Sequence, residues 1–187
     1  GSASEFYLLQ CRAQNSSIAS NASRIPRPKH IPPEDIVFST NRFVSNGQVN
    51  DIEYIVYVDP DAYDEIRSYE DLCRIGETVG RLNGILPRKK FILIGPGRWG
   101  SRGDLKLGVR VSYSDISNSA MLIEVARRKG DYQPELSFGT HFFQDLVEAQ
   151  IYYLPIYAGS GDTKLNIEFL QKAENSLTQI LSDTGQI

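Results

Sequence analysis

The sequence is poor in the residues that usually carry metal and redox chemistry: its 187 residues include two cysteines, two histidines, one methionine and one tryptophan. Cys11 and Cys73 lie far apart, and neither is spaced from His30 or His141 as zinc ligands are. That argues against a structural metal and against a disulfide scaffold, and fits reduced thiols in a cytoplasmic protein. No apolar run approaches bilayer length and no secretory signal pattern opens the chain, so no membrane partner is expected. No long basic run occurs and the formal net charge is −3, which leaves a nucleic-acid partner without compositional support.

What is present is an ordinary globular composition. The apolar share is 41% and the charged share 23%, enough to build a full core and to exclude wholesale disorder. Gly1-Ser2 reads as a scar of protease cleavage, so the natural N-terminus is expected upstream. Glu5 to Arg12 is short, apolar and rich in strand formers, as a buried strand is. Ala13 to Pro33 is small and polar, then proline-rich, which favours an extended linker over helix. The expected division is therefore 1–33 as a terminal strand plus linker, and 34–187 as one domain.

Within that domain, Asp35 to Val44 and Asn50 to Val58 read as strands. Asn46-Gly47 between them is a strong hairpin signal, because a type I′ turn needs positive φ at both central residues. A helix begins at Ser68, with Glu70 and Asp71 in its first turn and Leu72, Ile75, Val79, Leu82 and Leu86 along one face; Gly84 and Pro87 end it. Arg88-Lys89-Lys90 reads as a solvated connector. Phe91 to Ile94 is continuously apolar, as a strand buried on both faces is. Leu107 to Tyr113, Ala120 to Ala126 and Gln150 to Tyr157 are predicted strands. Thr140 and Asn166 are predicted to cap helices running to Ala149 and Leu181. The fold class is α/β or α+β: a mixed sheet with a β-hairpin and about three helices packed on it.

One loop carries the chemistry. Gly95-Pro96-Gly97-Arg98-Trp99-Gly100-Ser101-Arg102-Gly103 follows the buried strand and has four glycines in nine residues. Backbone amides in such a loop can converge on an anion. Arg98 and Arg102 each offer a planar donor fork for phosphate or carboxylate. Trp99 suits either stacking on a base or filling the core. The loop is neither a Walker A motif nor a dinucleotide fingerprint, and a purely structural role stays open beside the anion-binding one. His141, in the first turn of a predicted helix, is a candidate proton carrier, with Gln144 one turn on; Asp104, Asp115 and Glu124 are candidate acidic partners.

Phe6-Tyr7-Leu8-Leu9-Gln10-Cys11-Arg12-Ala13 resembles the closing strand of the ATP-grasp domain in phosphoenolpyruvate synthases and pyruvate phosphate dikinases. In that family the strand reads apolar residues, then Gln-x-Arg-Pro. The resemblance implies that Gln10 belongs to a metal–ATP site and that Arg12 contacts phosphate; Ala13 replaces the usual proline. Leu93 to Ser101, Leu107-Gly108-Val109, Ser114 to Ser117 and Gly139 to Gln144 resemble a C-terminal region of phosphoenolpyruvate synthase-like proteins. Thr140-His141 has the look of the family's phosphohistidine setting, but Phe142-Phe143 follow it and the role is not carried over.

The resemblance implies a cytoplasmic, ATP-dependent phosphotransferase, with an upstream ATP-grasp domain in the same chain and ATP and Mg used by the full-length protein. The present chain would hold no cofactor and would be inactive alone. Three functions follow. Gly95, Gly97, Arg98, Trp99, Gly100, Ser101, Arg102 and Gln144 could bind a phosphorylated small molecule or nucleotide. His141 with Arg98 and Arg102 could complete a phosphotransfer site. Or the domain could serve only for docking.

Overall fold

A computed structural model of the chain describes residues 30–41, 48–100, 107–127, 136–159, 161 and 163–182. The expected strand at Glu5–Arg12, with Gln10 and Arg12, lies outside these residues. So do Asn46-Gly47 and the Ser101-Arg102-Gly103 half of the loop.

The centre is a parallel sheet of β2 (Tyr54–Tyr57), β3 (Phe91–Pro96), β4 (Met121–Arg127) and β5 (Tyr152–Ala158), in that spatial order. β3 pairs Ile92 with Ile55 of β2 and with Met121 of β4, and is buried along its whole length. That two-sided burial is why its sequence is an unbroken apolar run rather than an alternation. Each strand lies beside the one before it in the chain. Right-handed crossovers that always step in one direction put their connections on one face. The packing agrees: α2 (Tyr69–Ile85), Trp99, Val109, Val111, Ile116 and Leu146 of α3 (His141–Glu148) share one apolar cluster with Phe91, Leu93 and Leu122. The opposite face, with Ile92, Ile94, Ile123, Val125, Leu154 and Ile156, is covered by Phe38, Leu165 and Leu170.

Local signals explain the helices. Asp59 caps α1 (Pro60–Glu65), accepting from Asp61 N at 2.8 Å and Ala62 N at 3.2 Å, with Pro60 in the first turn. Ser68 caps α2 through the Asp71 amide at 3.2 Å, and Thr140 caps α3 through the Phe143 amide at 3.2 Å. The helix begun at Ser68 runs through Gly84 and stops at Ile85, before Pro87.

The α/β class stands, and four details differ from the sequence reading. The antiparallel pair exists, but it joins β1 (Phe38–Ser39) to β6 (Lys164–Leu165), not to β2. β2 instead pairs along its whole length with β3, from Tyr54 beside Phe91 to Tyr57 beside Ile94. Leu107 to Tyr113 forms no strand; its described part has one bridge, Gly97 to Gly108, and then runs into a 3-10 turn at Tyr113–Asp115. Val109 and Val111 are both buried beneath the helical layer, and this produces a strand-like alternation without a sheet. The last helix is broken into α4 (Ile167–Lys172) and α5 (Leu177–Ile180). Asn175 Oδ1 accepts from Leu177 N at 2.9 Å, and such local bonding competes with a continuing helix. Finally, Lys89 is no solvated connector. Half-buried, it donates from Nζ to the carbonyls of Ser119 at 2.8 Å and Ala149 at 3.1 Å, tying the starts of β4 and β5 to the end of α3; burial lowers its pKa to about 8.

Candidate functional site

The loop after β3 is folded tightly on itself. The Gly97 amide donates to Val125 O at 2.9 Å, Arg98 to Leu107 O at 2.6 Å and Trp99 to Glu124 Oε1 at 2.8 Å. Gly97 has φ +61°, and a Cβ there would stand 1.8 Å from the Leu107 carbonyl oxygen. Only glycine satisfies both conditions. The amides of 97–99 are therefore already spoken for and are not open to an external anion. They face protein oxygens instead, one of them a carboxylate. Trp99 fills the core at 0% exposure, which excludes the stacking role considered for it. Its Nε1 has no partner among the described residues.

Glu124 is the organising group. It sits inside β4 at 0% exposure. Oε1 accepts from the Trp99 amide at 2.8 Å and from Ser137 Oγ at 2.6 Å. Oε2 accepts from the Ser137 amide at 2.7 Å and from Tyr153 Oη at 2.8 Å. Ser137 in turn holds Thr140, whose amide and Oγ1 both donate to Ser137 O, at 3.0 and 2.7 Å. One carboxylate thus links the loop after β3, the capping turn of α3 and β5. Burial raises its pKa from 4.5 to about 7, while the hydrogen bonds from Ser137, Tyr153 and Trp99 pull the other way. Burial, and after it the contact with Glu124, holds the Tyr153 phenol well above its ordinary range. Sequence reasoning named Glu124 only as a possible acid. The available signal was a lone charge within the apolar run Met121-Leu122-Ile123-Glu124-Val125-Ala126.

A stability consequence follows. The folded state binds the Glu124 proton more tightly than the unfolded chain does. Its contribution is complete below the ordinary pKa of 4.5 and is lost as pH rises through about 7. Urea unfolding is expected to give a stability lower by about 1–3 kcal/mol near pH 7.5 than near pH 5 from this group.

Above this frame opens a groove of about 760 Å³. Arg98 and Gly100 line one side, Ser112 and Ser114 another, and Thr140, His141, Gln144 and Asp145 of α3 and its cap a third. Gly100, at φ +71°, packs so closely on Phe142 that a Cβ would meet its ring at 2.6 Å. The fold therefore gathers Arg98, Trp99, Gly100, His141 and Gln144 at one place. Gly95 and Gly97 serve chain packing, and Gly95 sits under the Trp99 ring. His141 is exposed and its imidazole has no hydrogen-bond partner among the described residues; Asp104, a candidate partner, lies outside them. Asp115 is not its partner: Asp115 Oδ2 closes the 3-10 turn by accepting from the Ser112 amide and hydroxyl, each at 2.7 Å.

Fold and groove define the class: a parallel α/β domain with an open groove bordered by the loop that leaves β3 and by the N-terminus of α3. Comparison with family models, curated proteins and solved structures finds no match to this chain. Among the described residues, no group of three or more His, Cys, Asp or Glu could hold a metal ion, and no helix is long and apolar enough to cross a membrane.

Proposed function

We propose that the domain is a ligand-binding module that holds a phosphate-bearing small molecule or nucleotide in this groove, in the service of a phosphoenolpyruvate synthase-like, ATP-dependent phosphotransferase. The observation that carries the reading is the meeting of Arg98 with the first turn of α3 along one groove. Arg98 supplies a cationic fork. Thr140 takes up the Phe143 and Gln144 amides, leaving those of His141 and Phe142 as first-turn donors without a helical partner. The Gln144 side-chain amide adds a further donor on the α3 side, while the hydroxyl protons of Ser112 and Thr140 are held by Asp115 and Ser137 O. Anion recognition thus falls to the Arg98 side chain and α3, not to the amides of 97–99.

A second reading, a docking domain with a structural loop, draws on the internal use of the 97–99 amides and the buried Trp99. Arg98→Ala separates the two. Half-buried and outside the apolar core, Arg98 can be replaced in a variant that is expected to fold while its affinity for inorganic phosphate and phosphoenolpyruvate drops about tenfold or more. Calorimetric titration checks this. If the wild-type chain binds neither probe, the docking reading replaces the first.

A further inference from the structure

The Glu124 carboxyl has a full set of partners in either protonation state. Ionised, it receives the Trp99 amide, the Ser137 amide and hydroxyl, and the Tyr153 hydroxyl. Protonated, it must donate, and a backbone N–H cannot accept. Ser137 Oγ can: it lies 2.6 Å from Glu124 Oε1 and 3.1 Å from the Trp99 carbonyl oxygen. The hydroxyl turns, accepts from Glu124 and donates to Trp99 O. Oε1 still accepts the Trp99 amide, and no backbone atom has to move.

Among the described residues, the surroundings leave the negative charge without a counter-ion. β5 presents Tyr153, and Pro155 in register; β3 presents Gly95 in register; the loop and the capping turn present Trp99 and Ser137. Burial and hydrogen bonds act on the carboxyl, with no cationic side chain among the causes. The charged or titratable groups lining the groove itself are Arg98, Tyr113, His141 and Asp145.

We propose that Glu124 is the proton-linked partner of the groove: a divalent anion bound against Arg98 and the first turn of α3 favours the protonated carboxyl, so that binding takes up a proton. This rests on the groove being an anion site, as argued above. Arg98 precedes the residue whose amide Glu124 holds, and Thr140 is fixed to Ser137, which Glu124 also holds. An anion in the open groove and the carboxylate buried beneath it are then two like charges held on the same two segments, and they repel. The second acceptor of Ser137 lets one charge be removed without dismantling the frame.

The test uses the full wild-type chain with ¹³C-labelled glutamate carboxyls, titrated from about pH 5 to about pH 9 with and without sulfate, whose charge is constant over that range. The Glu124 midpoint is expected to rise in sulfate, and sulfate affinity to increase roughly fivefold from about pH 8 to about pH 6. A Glu124 midpoint that stays in place while sulfate binds overturns the proton link and leaves the groove as a binding site. No sulfate binding at any pH overturns the groove reading, and the link with it.

Discussion

Glu124→Leu is expected to lower stability by about 3–5 kcal/mol, enough to unfold much of the population of a typical domain. Leucine fills nearly the same space, so the loss is not a cavity effect. It comes from the donors left behind: the Trp99 amide, the Ser137 amide and the Tyr153 hydroxyl have no other acceptor among the described residues, and each is buried. A buried donor without a partner costs roughly 1–3 kcal/mol. Ser137 Oγ alone can turn, to Trp99 O at 3.1 Å. Glu124→Gln is expected to fall between leucine and wild type. Each carboxylate oxygen receives one backbone N–H, Trp99 on Oε1 and Ser137 on Oε2, so either orientation of the glutamine amide sets an NH₂ against a backbone donor. Urea denaturation followed by circular dichroism checks the series. A leucine variant as stable as wild type would sink the view of Glu124 as the organising group.

Gly76→Ala and Gly84→Ala are expected to act in opposite directions although both residues lie inside α2. In an exposed helix, glycine to alanine gains about 0.5–1 kcal/mol through backbone entropy. Gly84 meets that condition: nothing lies within 4 Å of an added Cβ. At Gly76 the added Cβ would stand 2.1 Å from the carbonyl oxygen of Arg110, a backbone atom that cannot swing aside. Helix and connector must part, at about 2–3 kcal/mol. The displaced backbone continues into Val111 and Ser112, which line the groove, so Gly76→Ala is also expected to weaken phosphate binding while Gly84→Ala leaves it intact. Thermal melts of the two variants settle the sign; equal stabilisation would show that the connector yields freely.

What was legible in the sequence was local. The caps at Ser68, Thr140 and Asn166 and the apolar runs of β3, β4 and β5 each depend on a few neighbouring residues, and they stand in the structure. Pairing depends on residues far apart in the chain. The Asn46-Gly47 signal says nothing about whether Phe38 finds Leu165 or a residue of β2. The candidate site shows the same division. Arg98, His141 and Gln144 were chosen by residue type, and the fold does bring them to one groove. The use of the loop amides was not readable, because their acceptors, Val125 O, Leu107 O and Glu124, come from other segments. Nor was the fate of Trp99, whose burial depends on the Gly95 surface beneath it.

The strand order β2-β3-β4-β5 has a kinetic meaning. Every new strand docks on the rim left by its predecessor, and none has to be threaded between two already joined. Assembly can proceed as accretion along the chain, with each loop closed over a modest separation. Within this four-stranded sheet Glu124 is the exception, because its bonds reach from residue 99 to residue 153 and close only once three strands are side by side. It is a latch fastened at the end of assembly, and its strength is felt in how slowly the finished domain comes apart.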